Sequence, residues 1–369
     1  MISYEEFKDV IAEDIKDFLP EKFMDSDVHI HTIQKNNETL DGLTVTSPDS
    51  NIAPTIYLNS YYESYQDGED LSDILQNIAD LRMKHEVEQS MDVTKITDFA
   101  QAKEHIVPMI IGAEGNAELL SQRPHGSMED LAVIYGVELG SDENGSARVP
   151  ISNQILETWG ISQTELHDIA VSNLESLSPS TFKSMHEVMA EMMLPQLIEE
   201  CNGDREMAEA MLDSMIPQDD RLFVLTNETK LNGAAALLDD KIMDAVREQA
   251  GDDFYILPSS IHECLVVPAE AGLELRELEN MVQEVNATQV EPKDRLSDHV
   301  YQYDSKSHEL FRADKAAERQ KSAKSVENKA EKEETRVSLK DRLAAKKQQI
   351  AGEKMDPAKG MGKQKEAVI

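Results

Sequence analysis

The chain has 369 residues, 40% of them hydrophobic, and a formal charge of -36 at neutral pH. After Phe311 it carries 16 Lys and Arg against 10 Asp and Glu, which leaves 20 against 62, a charge of -42, for the first 311 residues. A body that acidic repels nucleic-acid phosphates and anionic lipid, so it argues against direct binding of either and favours basic proteins or metal ions as attracted species.

Length alone suggests two folded units plus extras. Residues 1–95 read as a helix-sheet-helix region. Ser3 and Glu6 make a capping box, and Phe7, Val10, Ile11, Phe18 and Leu19 follow at helical spacing. Val28, Ile30 and Thr32 alternate with Asp27, His29 and His31, and 43–45 and 55–58 continue the strand pattern, with turns at Asn36-Asn37 and Asp41-Gly42. Asp70 caps a helix whose stripe is Leu71, Ile74, Leu75, Ile78 and Leu81.

Residues 96–220 read as a mostly helical middle region. Apolar runs at 106–111 and 131–137 are separated by Gly115, Pro124 and Gly126, and 140–146 is a charged, glycine-containing loop. It is not a calcium loop, since Gly140 and Ile151 stand where the first and last EF-hand carboxylates belong. Ser162 with Glu165 is a second capping box. Met185, Met189, Met192, Met193, Met207, Met211 and Met215 then recur at helical spacing. Core packing is their expected role, although methionine also lines adaptable partner grooves.

Residues 221–312 read as an antiparallel β-hairpin and helix region. Segments 222–225 and 234–238 flank a polar connection, and a helix over 239–250 stops at Gly251. The pattern recurs with 254–257 and 261–267 about the turn Pro258-Ser259-Ser260, then a helix over 270–285 and a hairpin at Tyr301 and Tyr303. Residues 313–369 lack aromatics and form a basic tail, helical or disordered, with 338–343 as a short candidate docking helix. The fold class expected is therefore α+β, mainly antiparallel sheets with flanking helices plus this charged tail.

Two isolated cysteines, Cys201 and Cys264, make no disulfide framework, and the start lacks the basic and apolar regions of a signal peptide. Together with the absence of an apolar run of ~18 residues, these features predict a cytoplasmic protein. Phosphate-binding and dinucleotide loops are missing, and His186-Glu187 and His262-Glu263 lack the later His of a zincin helix. No metal ligand set and no cofactor are expected, and His29 with His31 is a surface pair.

The densest set of reactive side chains is Ser259, Ser260, His262 and Glu263, followed by Cys264. On a strand, Ser260, His262 and Cys264 would share a face, as a nucleophile and base must, but same-face neighbours sit roughly 6.5 to 7 Å apart. The architectural alternative has the serines satisfying turn backbone, with His262 or Glu263 bonding to a polar group near Asn227.

Leu225-Thr226-Asn227, Gly233-Ala234-Ala235, 256–263, Glu284-Val285-Asn286 and 296–304 together resemble the bacterial family known as domain of unknown function 5688. Asn116 to Leu120, Pro124-His125, Asp130-Leu131-Ala132, Trp159-Gly160, Ala170 and Asn173 fit the same pattern. The resemblance implies that the Ser/His/Glu and Asn/Gly motifs belong to one design, which marks Asn116, Asn227 and Gly233 as candidate binding residues. It also implies a setting among mobile genetic elements, and it supplies no chemistry. The expected function is a non-enzymatic macromolecule-binding protein whose partner is a protein, with the tail able to contact acidic partners. The alternatives are a hydrolase using Ser260, His262 and Glu263, and an acidic nucleic-acid mimic.

Overall fold

A computed structural model of the chain describes residues 1–47, 50, 52–86, 92–142, 145–216, 221–258, 260–304 and 308–316, with backbone alone at 141–142 and 145–146. Ser259 and the tail beyond residue 316, including 338–343, lie outside the described residues. The compact unit is Met1–Ala313. It is α+β, with three antiparallel sheets among the described residues.

The capping box at Ser3 and Glu6 starts α1 (Tyr4–Asp14), with Ser3 N–H donating to Glu6 Oε2 at 2.8 Å. β1 (Val28–Lys35) and β2 (Glu38–Val45) form a hairpin about Asn36 and Asn37, and β3 (Thr55–Tyr57) pairs with β2. Asp41 and Gly42, expected at a turn, lie inside β2. Pairing on both edges of that strand overrides their local turn preference. α2 (Asn59–Gln66) and α3 (Leu71–Lys84), the latter capped by Asp70, complete a core around Phe7, Phe23, Leu43, Ile56, Ile74 and Ile78.

The middle region contains more strand than its expected helical character implies. Short helices α4 (Thr94–Thr97) and α5 (Phe99–Ala102) lead into β4 (Ile106–Gly112). α6 (Ala117–Ser121) precedes β5 (Gly126–Met128), β6 (Leu131–Asp142) and β7 (Gly145–Pro150), and β6 pairs with all three other strands. The described residues of the segment 140–146, expected as a loop, are thus strand. The run 106–111 lacks alternation because both faces of β4 are buried: Ile106 and Ile110 enter the main core, and Ile111 packs with Leu119 and Ile134.

α7 (Asn153–Trp159), α8 (Gln163–Ser172) and α9 (Leu174–Leu177) follow. Ser162 accepts the Glu165 N–H at 3.1 Å, one half of the expected capping box. The largest sheet runs in the order β13-β12-β10-β11-β9-β8. Its strands are β8 (Ser180–Ser184), β9 (Phe223–Asn227), β10 (Phe254–Leu257), β11 (Cys264–Pro268), β12 (Tyr301–Asp304) and β13 (Glu309–Arg312). Between them lie α10 (Met185–Glu200), α11 (Arg205–Met215), α12 (Asp240–Ala250) and α13 (Leu275–Thr288).

Two expectations for this sheet are corrected. Gly233–Leu238 is a 3-10 turn, not the second strand of a hairpin, and the edge of β9 is taken by β8. Gly233 and three alanines let the turn lie directly on β9, and a Cβ at Gly233 would fall 2.2 Å from Thr226 Oγ1 and 2.3 Å from the His262 carbonyl. The other correction is that β11 begins at Cys264, so residues 260–263 form a bend, and Ser260 and His262 share no strand face with Cys264.

The main core joins both large sheets, with Ile110, Val133 and Tyr135 from one and Leu225, Ile256 and Tyr301 from the other. α10 and α11 keep a small core of their own, in which Leu197, Ala208 and Leu212 are buried. The methionines expected to fill it do not all do so. Met192, Met207, Met211 and Met215 are 66%, 61%, 42% and 51% exposed.

Candidate functional site

The Ser260-His262 cluster is held by a ring of bonds to backbone. Ser260 Oγ accepts the His262 N–H at 3.0 Å, and the Ser260 N–H donates to the Glu263 carbonyl at 3.2 Å. The His262 carbonyl accepts from Thr226 Oγ1 at 2.7 Å. His262 Nδ1 accepts the Asn232 N–H at 3.1 Å, which puts the proton of the neutral ring on Nε2, 3.4 Å from Asp294 Oδ1. Ser260 is bonded to the backbone of His262 and not to its ring. Burial pushes the Cys264 thiol up to about 12, with the Glu263 charge adding to the effect.

Asn227 and Asn116 are both buried and fully engaged. Asn227 Nδ2 donates to Ser178 Oγ at 2.7 Å and to the Leu231 carbonyl at 2.9 Å, while its Oδ1 accepts from Thr229 Oγ1 and the Leu231 N–H. These bonds fold the turn that carries Gly233. Asn116 Oδ1 accepts the Asn37 N–H at 2.8 Å, and its Nδ2 reaches Asn37 Oδ1 and the Gly112 carbonyl, each at 2.8 Å. It ties the tip of the β1-β2 hairpin to the end of β4.

That hairpin tip meets a segment whose junction role sequence reasoning missed, 292–299. Asn37 Nδ2 donates to the Pro292 and Arg295 carbonyls at 2.9 and 2.8 Å, and Asn36 Nδ2 to the Lys293 carbonyl at 2.6 Å. Asp130 accepts from Ser297 Oγ at 2.8 Å and from Tyr301 Oη at 2.7 Å. Asn286 Nδ2 donates to the Ser297 carbonyl and to Asp298 Oδ1, both at 2.9 Å. The Ile261 N–H donates to the Asp294 carbonyl, so the His262 bend joins the same junction. Gly112 lets the chain approach closely here, since a Cβ would stand 2.6 Å from the Leu296 carbonyl. Asn37 carries no local signal for this role, because its partners Asn116, Pro292 and Arg295 lie 79, 255 and 258 positions away.

Two open clefts flank the segment. One of about 380 Å³ is lined by Asn37, Glu114, Asp130, Arg295, Asp298 and His299. The other, of about 670 Å³, is lined among others by Lys35, Glu38, Tyr57, Glu63, Lys293 and Asp294. Both carry charges of mixed sign in their walls, and the larger adds Leu40 and Tyr57. Among the described residues no group of three or more His, Cys, Asp or Glu side chains is placed to hold a metal ion. His29 and His31 are exposed on one face of β1.

The exposed methionines form a different kind of surface. Met207, Met211 and Met215 recur every fourth residue on one side of α11. At roughly 100° per residue, they extend the buried Ala208-Leu212 arc by roughly another 100°. Glu206, Glu209 and Asp213 occupy the opposite side, and all three are exposed.

Fold and junction define an α+β protein in which antiparallel sheets are joined by inward-bonded Asn, Asp, Ser and His side chains. The family of unknown function DUF5688 matches residues 4–305, and the chain belongs to that family. No curated protein and no solved structure matches it. No helix among the described residues is long and apolar enough to cross a membrane.

Proposed function

We propose that this chain is a non-enzymatic protein that binds another protein. The observation that carries the reading is the exposure of Met207, Met211 and Met215 along α11. Scattered exposed apolar side chains need no explanation, but a continuous stripe on one helix face does. Methionine suits such a surface because its unbranched, polarisable side chain adapts to the shape of a partner. The engagement of Ser260 and His262 with backbone groups supports the non-enzymatic part of the reading, because a nucleophile must be bonded to its base.

The test replaces Met211 with a photoreactive amino acid in the cell that makes the protein, with Asp80, exposed on α3, as the control position. One predominant protein adduct at Met211 and none at Asp80, followed by reconstitution of the pair from purified components, is the expected result. Equal adducts at both positions, or none at Met211, overturn the reading.

A further inference from the structure

β1 ends the three-stranded sheet, with β2 along one side and no described strand along the other. The Thr46 N–H donates to the Asp27 carbonyl, and bonded pairs alternate along an antiparallel ladder, so His29, His31, Ile33 and Lys35 bond to β2. The N–H and C=O of Val28, Ile30, Thr32 and Gln34 therefore point away from the sheet, and among the described residues none of them has a hydrogen-bond partner. Natural sheet edges carry devices against pairing with another chain. The other sheet-ending strands among the described residues show them: β3, β5, β8 and β13 have only 3, 3, 5 and 4 residues. β7 pairs across a register shift at Glu138 and Gly140, and in β4 Pro108 lacks an N–H while the Ile106 and Gly112 carbonyls accept from Asn173 and Asn116. β1 has 8 residues in unbroken register, with no proline and no carboxylate.

A second copy of β1 completes this edge in one register. Outward groups pair only with outward groups, so across a two-fold axis all of them are satisfied only when Val28 stands opposite Gln34 of the second copy and Ile30 opposite its Thr32. That register is centred on His31, and it places Asp27 of each copy opposite Lys35 of the other. Both side chains are exposed, and alternation puts them on the same face of the sheet. Shifting the register by two residues loses outward bonds and puts Ile33 or Asn37 opposite Asp27 instead. The two copies meet without carboxylate facing carboxylate: Asp41, which accepts from Thr32, is paired with Lys8 at 3.0 Å, and Glu118 is held by the Gln34 amide at 3.0 Å. The rest of the -42 body is screened beyond a Debye length of about 8 Å at physiological salt. We propose that this protein forms a two-fold dimer by antiparallel pairing of β1 with β1 of a second copy, which joins the two three-stranded sheets into one. The interface is separate from the methionine face of α11 and does not depend on it.

The experiment uses the full chain. Sedimentation over rising concentration should show a monomer–dimer equilibrium that tightens from low to physiological salt, because repulsion between the bodies outweighs two exposed ion pairs. In the same samples, amide hydrogen exchange at Val28, Ile30, Thr32 and Gln34 should slow as the dimer fills, while Ile33, already bonded to β2, stays unchanged. D27K and K35D should each weaken the dimer about fivefold, since each sets like charges opposite one another twice, and the double variant should restore it. In a Cys201→Ser background, H31C should form a disulfide between copies under mild oxidation and D80C should not, because a residue on the axis faces itself at about 4.5 Å between Cα atoms. A monomer at every concentration, exchange indifferent to concentration, equal cross-linking of H31C and D80C, or a double variant as weak as either single one overturns the proposal. So does a dimer that the triple variant M207Q, M211Q and M215Q dissolves and K35D leaves intact, which would move the interface to α11.

Discussion

Tyr301 Oη donates a 2.7 Å hydrogen bond to Asp130 Oδ1, linking β12 of the six-stranded sheet to the turn between β5 and β6 of the four-stranded sheet. Asp130 also accepts from Ser297, so one carboxylate serves two hydroxyls across a separation of more than 160 positions. Asp130→Ala strands both donors and should lower stability by about 2 to 3 kcal/mol. Tyr301→Phe, which leaves the Ser297 bond intact, should cost about 1 kcal/mol. Urea unfolding checks both, and equal losses would contradict the shared-acceptor geometry.

The same pair predicts alkaline behaviour. Burial, and after it the Asp130 charge, holds the Tyr301 phenol well above its ordinary value, against a hydrogen bond from Ser297. In the unfolded chain the phenol ionises near pH 10, so the stability it contributes is complete below that pH and is lost as pH rises further. Unfolding free energy should therefore fall above about pH 10, with a shallower slope in Tyr301→Phe. Parallel slopes would remove Tyr301 from the cause.

His262→Ala leaves the Asn232 N–H without its acceptor and should destabilise by about 1 to 3 kcal/mol. Ser260→Ala removes the acceptor of the His262 N–H and should destabilise less, because this hydrogen bond spans only two residues. A serine-directed fluorophosphonate should leave Ser260 unlabelled. Stable variants together with labelled Ser260 would restore the hydrolase alternative.

The two thiols should separate cleanly. Cys264 is buried, with its thiol pushed up to about 12, whereas Cys201 is half-buried near the end of α10. Thiolate is the reactive form, so a disulfide reagent should titrate Cys201 in the native protein and Cys264 only on unfolding. Prompt reaction of both would show that the β9-β11 region opens readily.

Arg82 is buried against Phe23, its guanidinium carbon 4.8 Å from the ring centroid, and Nε donates to the Val45 carbonyl while Nη1 and Nη2 have no hydrogen-bond partner among the described residues. Burial lowers its pKa. Arg82→Met keeps the packed stem without the buried charge and should come within about 1 kcal/mol of wild type or exceed it. Arg82→Ala opens a cavity and should cost about 2 kcal/mol or more. Thermal melts decide, and a large loss in Arg82→Met would mean that the charge itself stabilises the fold.

Elements whose cause is local were legible from the residues alone. The Ser3-Glu6 box, the Asp70 cap, the Gly251 stop and the strands about Asn36-Asn37 follow from side chains acting on backbone a few residues away. Tertiary structure decided what has no local cause. β8, with Phe182 as its single large apolar residue, is a strand because β9 offers it an edge, and 233–238 is not a strand because Gly233 must pass close to Thr226. The family motifs contain Asn116, Asp130, Asn286 and Ser297, but not the fact that they converge on 292–299, since hydrogen bonds between distant positions leave no periodicity to read. The methionine spacing of α11 was legible as one apolar side. Whether that side met the core or the solvent depended on how many neighbours the fold brought to it, and only the packed chain specifies that number.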